Sequence, residues 1–267
     1  MRPARHWGAE NWADVLPAVL GFKRPPVDLY IVCRNRRIQR LALRFIIPRG
    51  LMLPVGGGFE VYLRDQVRRD LDISKEEPRD DLSVRQRFAL AHEIAHTRFF
   101  RLSGPVPLPD STISNAHGLE HDCDRMAGCI LVPTYLLKQK IRDYRKEIDA
   151  DFVRSVASEF RTSVDVALER LRVVEAGNSF ERCILLARRI HGDAEIDSLF
   201  FGLGLSPVLS RPEKHTRISD WLPNFPRHAL GQTEDSGSFA TKRGRKIAFT
   251  TTELGTGDRF LLELQAA

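Results

Sequence analysis

Cysteine is scarce in this chain, and the few cysteines present show no pairing pattern. Four cysteines are spread over 267 residues, and no two of them are spaced as C-x-x-C. Small secreted disulfide proteins have a higher density of cysteines than this chain, and metal sites built from cysteine pairs contain the C-x-x-C spacing that this chain lacks. Both classes are therefore disfavoured. Cys123 and Cys129 fall on one apolar helical segment, where a thiol packs as a small hydrophobic side chain. The cysteines therefore predict core packing in a reducing, cytoplasmic setting.

Long apolar runs are also missing. The longest candidate, residues 41–53, is interrupted by Arg44, Pro48 and Arg49. It is also shorter than the ~18–20 residues that a helix needs to span a bilayer. The basic residues near the start are not followed by the apolar segment of a secretory signal. These absences disfavour membrane and secreted classes of protein, and we expect no membrane partner.

The composition that remains is typical of a folded protein with a small basic excess. Hydrophobic residues make up 42% of the chain and charged residues 28%, which supports a core and argues against general disorder. A formal net charge of +6 permits an acidic or nucleic-acid partner. Spread over 267 residues, that charge requires neither partner.

The order of apolar and turn residues predicts an α+β chain. We expect strands at residues 28–33, 41–47 and 59–63, with a glycine-rich loop over residues 50–58. A helix is predicted from Ser83, where Ser83 and Gln86 form a capping-box pattern, and further helices are expected over residues 119–132 and 134–148. Two more helices are expected within residues 151–174. Beyond residue 179, strand-like runs alternate with loops, which indicates a separate α+β domain.

The predicted helix at Ser83 contains the motif H-E-x-x-H, formed by His92, Glu93 and His96. Residues four apart on a helix differ by about 40° in azimuth and about 6 Å in rise, so both imidazoles leave the same face. Two such rings suit two ligand positions of a tetrahedral zinc ion. Glu93 is placed to reach a water molecule on that ion without binding the ion itself.

The next predicted helix offers a third ligand. Glu120 and Asp124 are four residues apart, so they share a face; a carboxylate ligand leaves the fourth zinc position open, as in catalytic sites. Asp124 is suited to accept the second ring N–H of a zinc-bound histidine. The residues around Glu120 also satisfy the inverted pattern H-x-x-E-H, in which His117 and His121 would bind the metal. That alternative gives no role to His92, Glu93 and His96. His121 remains an alternative to Glu120 as the third ligand.

Two segments together resemble the ImmA/IrrE family of zinc peptidases. They are residues 87–96, R-F-A-L-A-H-E-I-A-H, and residues 120–133, E-H-D-C-D-R-M-A-G-C-I-L-V-P. The resemblance implies that His92, His96 and Glu120 bind one zinc ion, that Glu93 is the catalytic base, and that Asp124 orients a ligand. Manganese or iron suits the same ligand set. Cys123, Met126, Gly128 and Val132 depart from the family pattern, and each preserves small or apolar character.

The resemblance further implies a division of the chain and a biological role. Residues 1–135 are expected to form a zincin-like metallopeptidase domain, residues 136–178 a helix-turn-helix-like extension, and residues 179–267 a possible GAF-like sensor domain. Family members cut helix-turn-helix repressors and thereby induce stress-response or mobile-element genes. We therefore predict a protein substrate of this kind. The strand at residues 59–63 is predicted to hold that substrate by strand addition.

A peptidase site also needs a second donor for the oxyanion, which the sequence does not locate. Tyr135 is the first candidate, and His215 and His228 are others. The competing interpretation of the whole chain is a DNA-binding regulator with a non-catalytic metal domain. In that interpretation residues 156–171 form a helix-turn-helix, and phosphate contacts come from outward-facing basic residues. Those residues are Arg161, Arg170, Arg172, the cluster Arg34, Arg36, Arg37 and Arg40, and residues 242–246.

Overall fold

A mixed β-sheet with helices packed beside it forms the N-terminal part of the protein. The structure is a computed structural model that describes residues 4–74, 82–110, 116–144, 148–174, 182–191, 193–201, 212, 215–226, 229–230, 234–241, 246–254 and 258–266. It divides into one unit of Met1–Leu136 with Glu159–Ser163, and a second of Leu137–Ser158 with Val164–Ala267. The predicted boundaries at residues 135 and 178 stay predictions.

The first unit contains the following elements in chain order. Its helices are α1 (Ala4–Val19), α2 (Leu29–Asn35), α3 (Val84–His96), α4 (Ala116–Leu131) and the first turn of α5 (Thr134–Tyr144). Its strands are β1 (Ile38–Arg44), β2 (Gly50–Val55), β3 (Gly58–Arg64), β4 (Arg69–Leu71), β5 (Phe100–Arg101) and β6 (Leu108–Pro109). Helix α4 packs against both α1 and α3, and α3 packs against β2 and β3.

The larger sheet of this unit has the strand order β2-β3-β1-β4. Strand β3 runs parallel to β1 and antiparallel to β2, so both of its edges are already hydrogen-bonded. The prediction that residues 59–63 hold a substrate by strand addition is therefore wrong, because an interior strand has no free edge. Strand β2 lies at the edge of the sheet instead. Its Pro54, which has no N–H to donate, suits an edge position.

Two local predictions in this region are wrong for identifiable reasons. Residues 28–33 were predicted as a strand from their apolar and β-branched content, yet they enter helix α2. Asp28 starts that helix, since its side chain accepts a hydrogen bond from the Tyr30 N–H at 2.8 Å. Residues 50–58 were predicted as a loop, yet most of them form β2. The glycines close a hairpin, and Gly57 has the positive φ of 86° that such a turn requires.

Helix α3 begins as the sequence predicts. Ser83 Oγ accepts from the Gln86 N–H at 3.2 Å, and Gln86 Oε1 accepts from the Ser83 N–H at 2.9 Å, which completes the capping box. Leu90 and Ile94 on the inner face are fully buried. His92 and His96 lie on the opposite face of the helix, so the burial of Leu90 and Ile94 fixes the direction of the histidines. Helix α4 begins at Ala116, three residues earlier than expected, and its range includes His117.

A buried arginine fastens α3 to two distant segments of the first unit. Arg87 is only 4% exposed. Its Nη2 donates to the Val27 carbonyl at 3.0 Å, and its Nε donates to the Arg161 carbonyl at 3.2 Å. Burial lowers the pKa of Arg87 from its ordinary value. The side chain therefore joins α3 to chain segments 60 and 74 residues away.

We expect Arg87→Met to lower the free energy of unfolding by about 2–4 kcal/mol, because it leaves two carbonyls without their donor. Urea denaturation monitored by circular dichroism measures the change. Arg85→Met is the matched control, because Arg85 lies two positions away on the same helix and is exposed. Equal stability of the two variants would show that the Arg87 contacts contribute little.

The second unit combines helices with an antiparallel sheet. Its helices are the remainder of α5, α6 (Ala150–Glu159) up to Ser158, α7 (Val164–Val174) and the short α8 (Ile218–Trp221). Its strands are β7 (Arg182–Ile190), β8 (Asp193–Phe201), β9 (Glu234–Ala240), β10 (Lys246–Leu254) and β11 (Arg259–Ala266). The sheet order is β8-β7-β11-β10-β9. The α+β class is confirmed, and the GAF-like assignment stays a prediction.

One hydrophobic core of the second unit lies on one face of its sheet. Buried residues from all five strands, among them Leu185, Ile247 and Phe260, pack in one cluster with Ile218 of α8. Helix α7 packs against β8. None of the helices that the structure describes has both the length and the apolar content to cross a membrane.

Candidate active site

His92 and His96 lie one turn apart on the solvent-facing side of α3. Their Nε2 atoms are 3.0 Å apart, and their ring centroids are 4.8 Å apart. Both side chains are mostly buried, with 16% and 18% of their surface exposed. Because the two Nε2 atoms face each other at hydrogen-bond distance, at least one of them carries no proton. Its lone pair is directed at the space between the two rings.

Helix α4 brings Glu120 to the same space. Glu120 Oε2 lies 3.1 Å from His92 Nε2, and Oε1 lies 3.5 Å from His96 Nε2. The Glu120 side chain is 72% exposed, so it approaches the histidines from the solvent side. The packing of α3 on α4 thus unites three residues from segments separated in the sequence.

Asp124, one turn after Glu120, holds the ring of His92 from its other nitrogen. The Nδ1 atom of His92 lies 2.8 Å from Asp124 Oδ1. When Nδ1 carries the proton and donates to Asp124, Nε2 is left with its lone pair toward Glu120 and His96. Burial opposes a charge on His92, but the hydrogen bond to Asp124 and the nearby carboxylates raise its pKa above the ordinary value. Burial and the charge of His92 lower the pKa of His96.

Glu93 is the buried acid of the site. Only 7% of its surface is exposed. Burial raises the pKa of Glu93 to about 7, with His92 opposing the rise and Glu120 adding to it. A carboxyl group that titrates near neutral pH exchanges protons readily, which suits general acid–base work.

Gly50, the first residue of β2, lies directly against Glu93. A Cβ atom added to Gly50 would lie 2.5 Å from Glu93 Oε1 and 2.9 Å from its Cγ. The sequence does not predict this contact, because it indicates a loop over residues 50–58. The available signal was a glycine at the start of a strand-like apolar run, a position that often marks a close approach.

Cys123 is a second residue near the site that the sequence analysis treated only as core. One ligand atom each from His92, His96 and Cys123 lie within 4.8 Å of one another. Burial raises the pKa of the Cys123 thiol, and the surrounding carboxylates, beginning with Glu120, raise it further. The signal in the sequence was the position of Cys123, three residues after Glu120 on the same helix.

The donors at this place match the requirements of a divalent metal ion. Ligands about 2.0–2.2 Å from a tetrahedral zinc ion lie about 3.3–3.6 Å from one another. Two of the observed distances are slightly shorter than this: His92 Nε2 lies 3.0 Å from His96 Nε2 and 3.1 Å from Glu120 Oε2. His96 Nε2 lies 3.5 Å from the other carboxylate oxygen, Glu120 Oε1, which is within the range. Two imidazoles and a carboxylate also form the donor set of open zinc sites. The residues present therefore fit a zinc ion.

The other predicted site residues lie elsewhere or outside the described ranges. His121 is exposed and is not among the described residues whose ligand atoms converge with His92 and His96. The Tyr135 hydroxyl donates to the Phe22 carbonyl at 2.5 Å, so its proton is engaged there, and its role as oxyanion donor stays a prediction. The His117 side chain and His228 lie outside the described residues.

His215 belongs to another cluster of possible metal ligands, in the second unit. Its Nδ1 lies 2.8 Å from Glu195 Oε1, and Asp197 completes the group. Two arginines already neutralise these acids: Arg188 lies 3.8 Å from both carboxylates, and Arg259 lies 3.2 Å from Asp197. The cluster is therefore an ion-pair network, which gives no evidence for a metal.

The arginines predicted to face DNA are engaged within the fold. Arg170 was expected to point outward, but it is only 5% exposed, so that prediction is wrong. Helix α7 packs on β8, a neighbour that the sequence could not show. Arg161 donates to the Leu82 carbonyl at 3.0 Å, and Arg172 forms an ion pair with Glu169.

The earlier basic cluster is similarly occupied by protein partners. Arg34 donates to the Ile73 carbonyl and Arg37 to the Leu102 carbonyl. Arg36 binds the side chain and the carbonyl of Thr97, and Arg40 pairs with Asp70. Residues 242–245 lie outside the described ranges. The described part of the chain thus offers little support for the DNA-binding interpretation.

Comparison with known proteins agrees with the site geometry. Residues 78–172 match the family model Peptidase_M78, the IrrE N-terminal-like domain, and this range contains α3 and α4. A search of curated proteins found no match. A solved structure of a Mycobacterium tuberculosis transcriptional regulator matches with a TM-score of 0.52 and 13% identity, over 98% of this chain and 90% of that chain, so the two share a fold. Residues 78–172 of this protein are therefore similar to the IrrE N-terminal-like domain, Peptidase_M78.

Proposed function

We propose that this protein is a zinc-dependent regulatory endopeptidase that cleaves a protein substrate. The observation that carries the proposal is the convergence of His92, His96 and Glu120 within 3.5 Å of one another, beside the buried carboxyl group of Glu93. The match of residues 78–172 to the Peptidase_M78 family model supports the same reaction class.

In this proposal His92, His96 and Glu120 hold one zinc ion, and manganese or iron suits the same donors. Asp124 keeps the proton of His92 on Nδ1, so that Nε2 is available to the ion. When bound, the zinc ion makes a water molecule more acidic and polarises the carbonyl of a peptide bond.

Glu93 moves the protons of the reaction. As a carboxylate it accepts a proton from the attacking water, whose oxygen forms the new bond to the peptide carbon. The same group then donates that proton to the departing amine nitrogen as the C–N bond breaks. Its burial, and the raised pKa that follows, let it perform both steps near neutral pH.

Strand β2 is the place where an extended substrate would lie. It is one of the two edge strands of the sheet, and its first residue, Gly50, lies against Glu93. A peptide hydrogen-bonded to that edge would run past the catalytic carboxylate.

We further propose that the substrate is a helix-turn-helix transcriptional repressor whose cleavage induces stress-response or mobile-element genes. The support is the motif resemblance to ImmA/IrrE peptidases, and a matching fold belongs to a transcriptional regulator. A cytoplasmic location is part of this proposal, and it is supported by four buried cysteines that form no disulfide. The second unit is proposed to sense the activating signal.

The direct test incubates the zinc-loaded protein with repressors encoded beside its own gene. Mass spectrometry identifies the fragments, and a chelator-treated sample serves as the control. We expect one dominant cleavage that disappears with the metal and returns when zinc is restored. Intact repressors in every zinc-loaded sample would contradict the proposed substrate class.

The identity of the third ligand has its own prediction. We expect Glu120→Gln to weaken zinc binding more than Asp124→Asn, for which the loss of an orienting partner costs about 10- to 100-fold in affinity. Cys123→Ser is expected to leave the zinc affinity unchanged. Competition with a fluorescent chelator measures all three. If Cys123→Ser loses zinc and Glu120→Gln retains it, the thiolate is the third ligand.

A further inference from the structure

One end of the N-terminal sheet carries apolar side chains that the fold leaves in solvent. Phe45 is 81% exposed and Ile47 is 89% exposed, both in the connection from β1 to β2. Val67, in the turn after β3, is 63% exposed. We call Phe45, Ile47 and Val67 the apolar tip.

The two connections that carry the apolar tip are tied to each other. The Asp65 N–H donates to the Arg44 carbonyl at 2.9 Å, and the Arg64 N–H donates to the Arg49 carbonyl at 3.0 Å. The Arg64 guanidinium also donates to the Ile47 carbonyl at 3.2 Å. The backbone of the connection is thus held while its apolar side chains stay outside. Clustered exposure of this kind marks an interaction surface more often than scattered single residues do.

Positive charge surrounds the apolar tip. Arg49, Arg64 and Arg68 are exposed beside it. Two acidic residues at this end have partners within the fold. Asp65 accepts hydrogen bonds from the Val67 N–H at 2.9 Å and from Gln86 Nε2 at 2.6 Å, and Asp70 forms an ion pair with Arg44. A partner that combines apolar side chains with acidic ones complements this surface.

The apolar tip is continuous with the candidate active site. Residues 45–49 lead directly into Gly50, which lies against Glu93. A protein chain that follows the edge of β2 past Glu93 therefore reaches the tip at one end of the strand. This continuity identifies the occupant as the molecule that enters the site.

We propose that the apolar tip is a docking surface for the protein substrate and that it binds a substrate segment with apolar residues flanked by Asp or Glu. The proposal rests on the peptidase function proposed above. It adds a recognition element outside the catalytic residues, which selects one substrate among many chains with a suitable peptide bond.

The first test selects a phage-displayed library of random peptides on the zinc-loaded Glu93→Gln protein. We expect enrichment of peptides that contain aromatic or aliphatic residues together with acidic residues. The enrichment should be lost on the same protein carrying Phe45→Ser and Ile47→Ser. Val19→Ser is the matched control, because Val19 is 75% exposed on α1, in the same unit. No enrichment, enrichment of basic peptides, or equal enrichment on the double variant overturns the proposal.

The second test measures cleavage by the otherwise wild-type enzyme with Phe45→Ser and Ile47→Ser. For a cleaved repressor we expect KM to rise roughly tenfold or more with kcat unchanged. A short peptide that spans only its scissile bond should be cut at the wild-type rate. If the repressor is cut equally well by the double variant, docking fails while the peptidase function stands. If no repressor is cut but peptides are selected at the tip, the proposed repressor substrate fails while the tip still binds peptides of the stated chemistry.

Sedimentation of the wild-type protein and the double variant separates a further occupant, a second copy of this chain. We expect the same oligomeric state for both proteins at all concentrations. A dimer that forms in the wild-type protein and is lost in the double variant would show that the tip binds another copy, and it would overturn substrate docking.

Discussion

Glu93→Gln is expected to abolish cleavage of the protein substrate while zinc binding is retained. Glutamine has nearly the same shape as glutamate but neither accepts a proton from water nor returns one to an amine. General acid–base groups contribute about 10²- to 10⁴-fold to rate, so we expect a loss of kcat in that range. The affinity for zinc should persist, since the proposed ligands are His92, His96 and Glu120. Single-turnover cleavage and metal analysis of the same preparation measure both quantities.

Two outcomes of this substitution would change the interpretation of the protein. Loss of zinc together with activity would place Glu93 among the ligands, for which its burial on α3 gives no support. Retained biological induction without cleavage would show that the metal domain acts by binding alone. Asp122→Asn is a useful control, since it removes a carboxylate from α4 that the proposed mechanism does not use.

The candidate site could largely be predicted from sequence because its signals are local. The four-residue spacing of His92 and His96 places them on one face of any helix. The capping-box pattern of Ser83 and Gln86 predicts where that helix begins. Glu120 and Asp124 obey the same rule on α4. The spacing does not show how the two helices pack. In the structure α4 packs on α3 so that Glu120 and Asp124 lie beside His92.

The parts that could not be predicted depend on neighbours distant in the sequence. The apolar residues 28–33 fit a strand by composition, but the cap at Asp28 directs them into α2. Arg170 was expected to face outward on a helix-turn-helix, but it is buried on α7, a helix that packs on β8. Strand β2 contains glycine, proline and exposed leucines, so only its pairing with β3 identifies it as a strand.

Among the contacts between residues distant in the sequence, the one between Gly50 and Glu93 has the largest expected effect on activity. Gly50 does not have a positive φ, unlike Gly21 and Gly57, so its backbone is open to other residues. The obstacle is Glu93, whose Oε1 would lie 2.5 Å from an added Cβ. Any side chain at position 50 must therefore displace the carboxylate of Glu93. If Glu93 is the catalytic base that we propose, Gly50 is a positioning residue.

We expect Gly50→Ala to reduce kcat by about 100-fold, the usual consequence of moving a catalytic group by about 1 Å, and Gly50→Val to reduce it further. Zinc affinity should persist in both, because the clash involves Glu93 and none of the proposed ligands. Gly56→Ala is the matched control, since no atom lies within 4 Å of a Cβ at Gly56. A double-mutant cycle separates positioning from general damage: in the Glu93→Gln background, Gly50→Ala should cost nothing further. Additive losses would instead mean that Gly50 acts on cleavage independently of Glu93, through the edge of β2 itself.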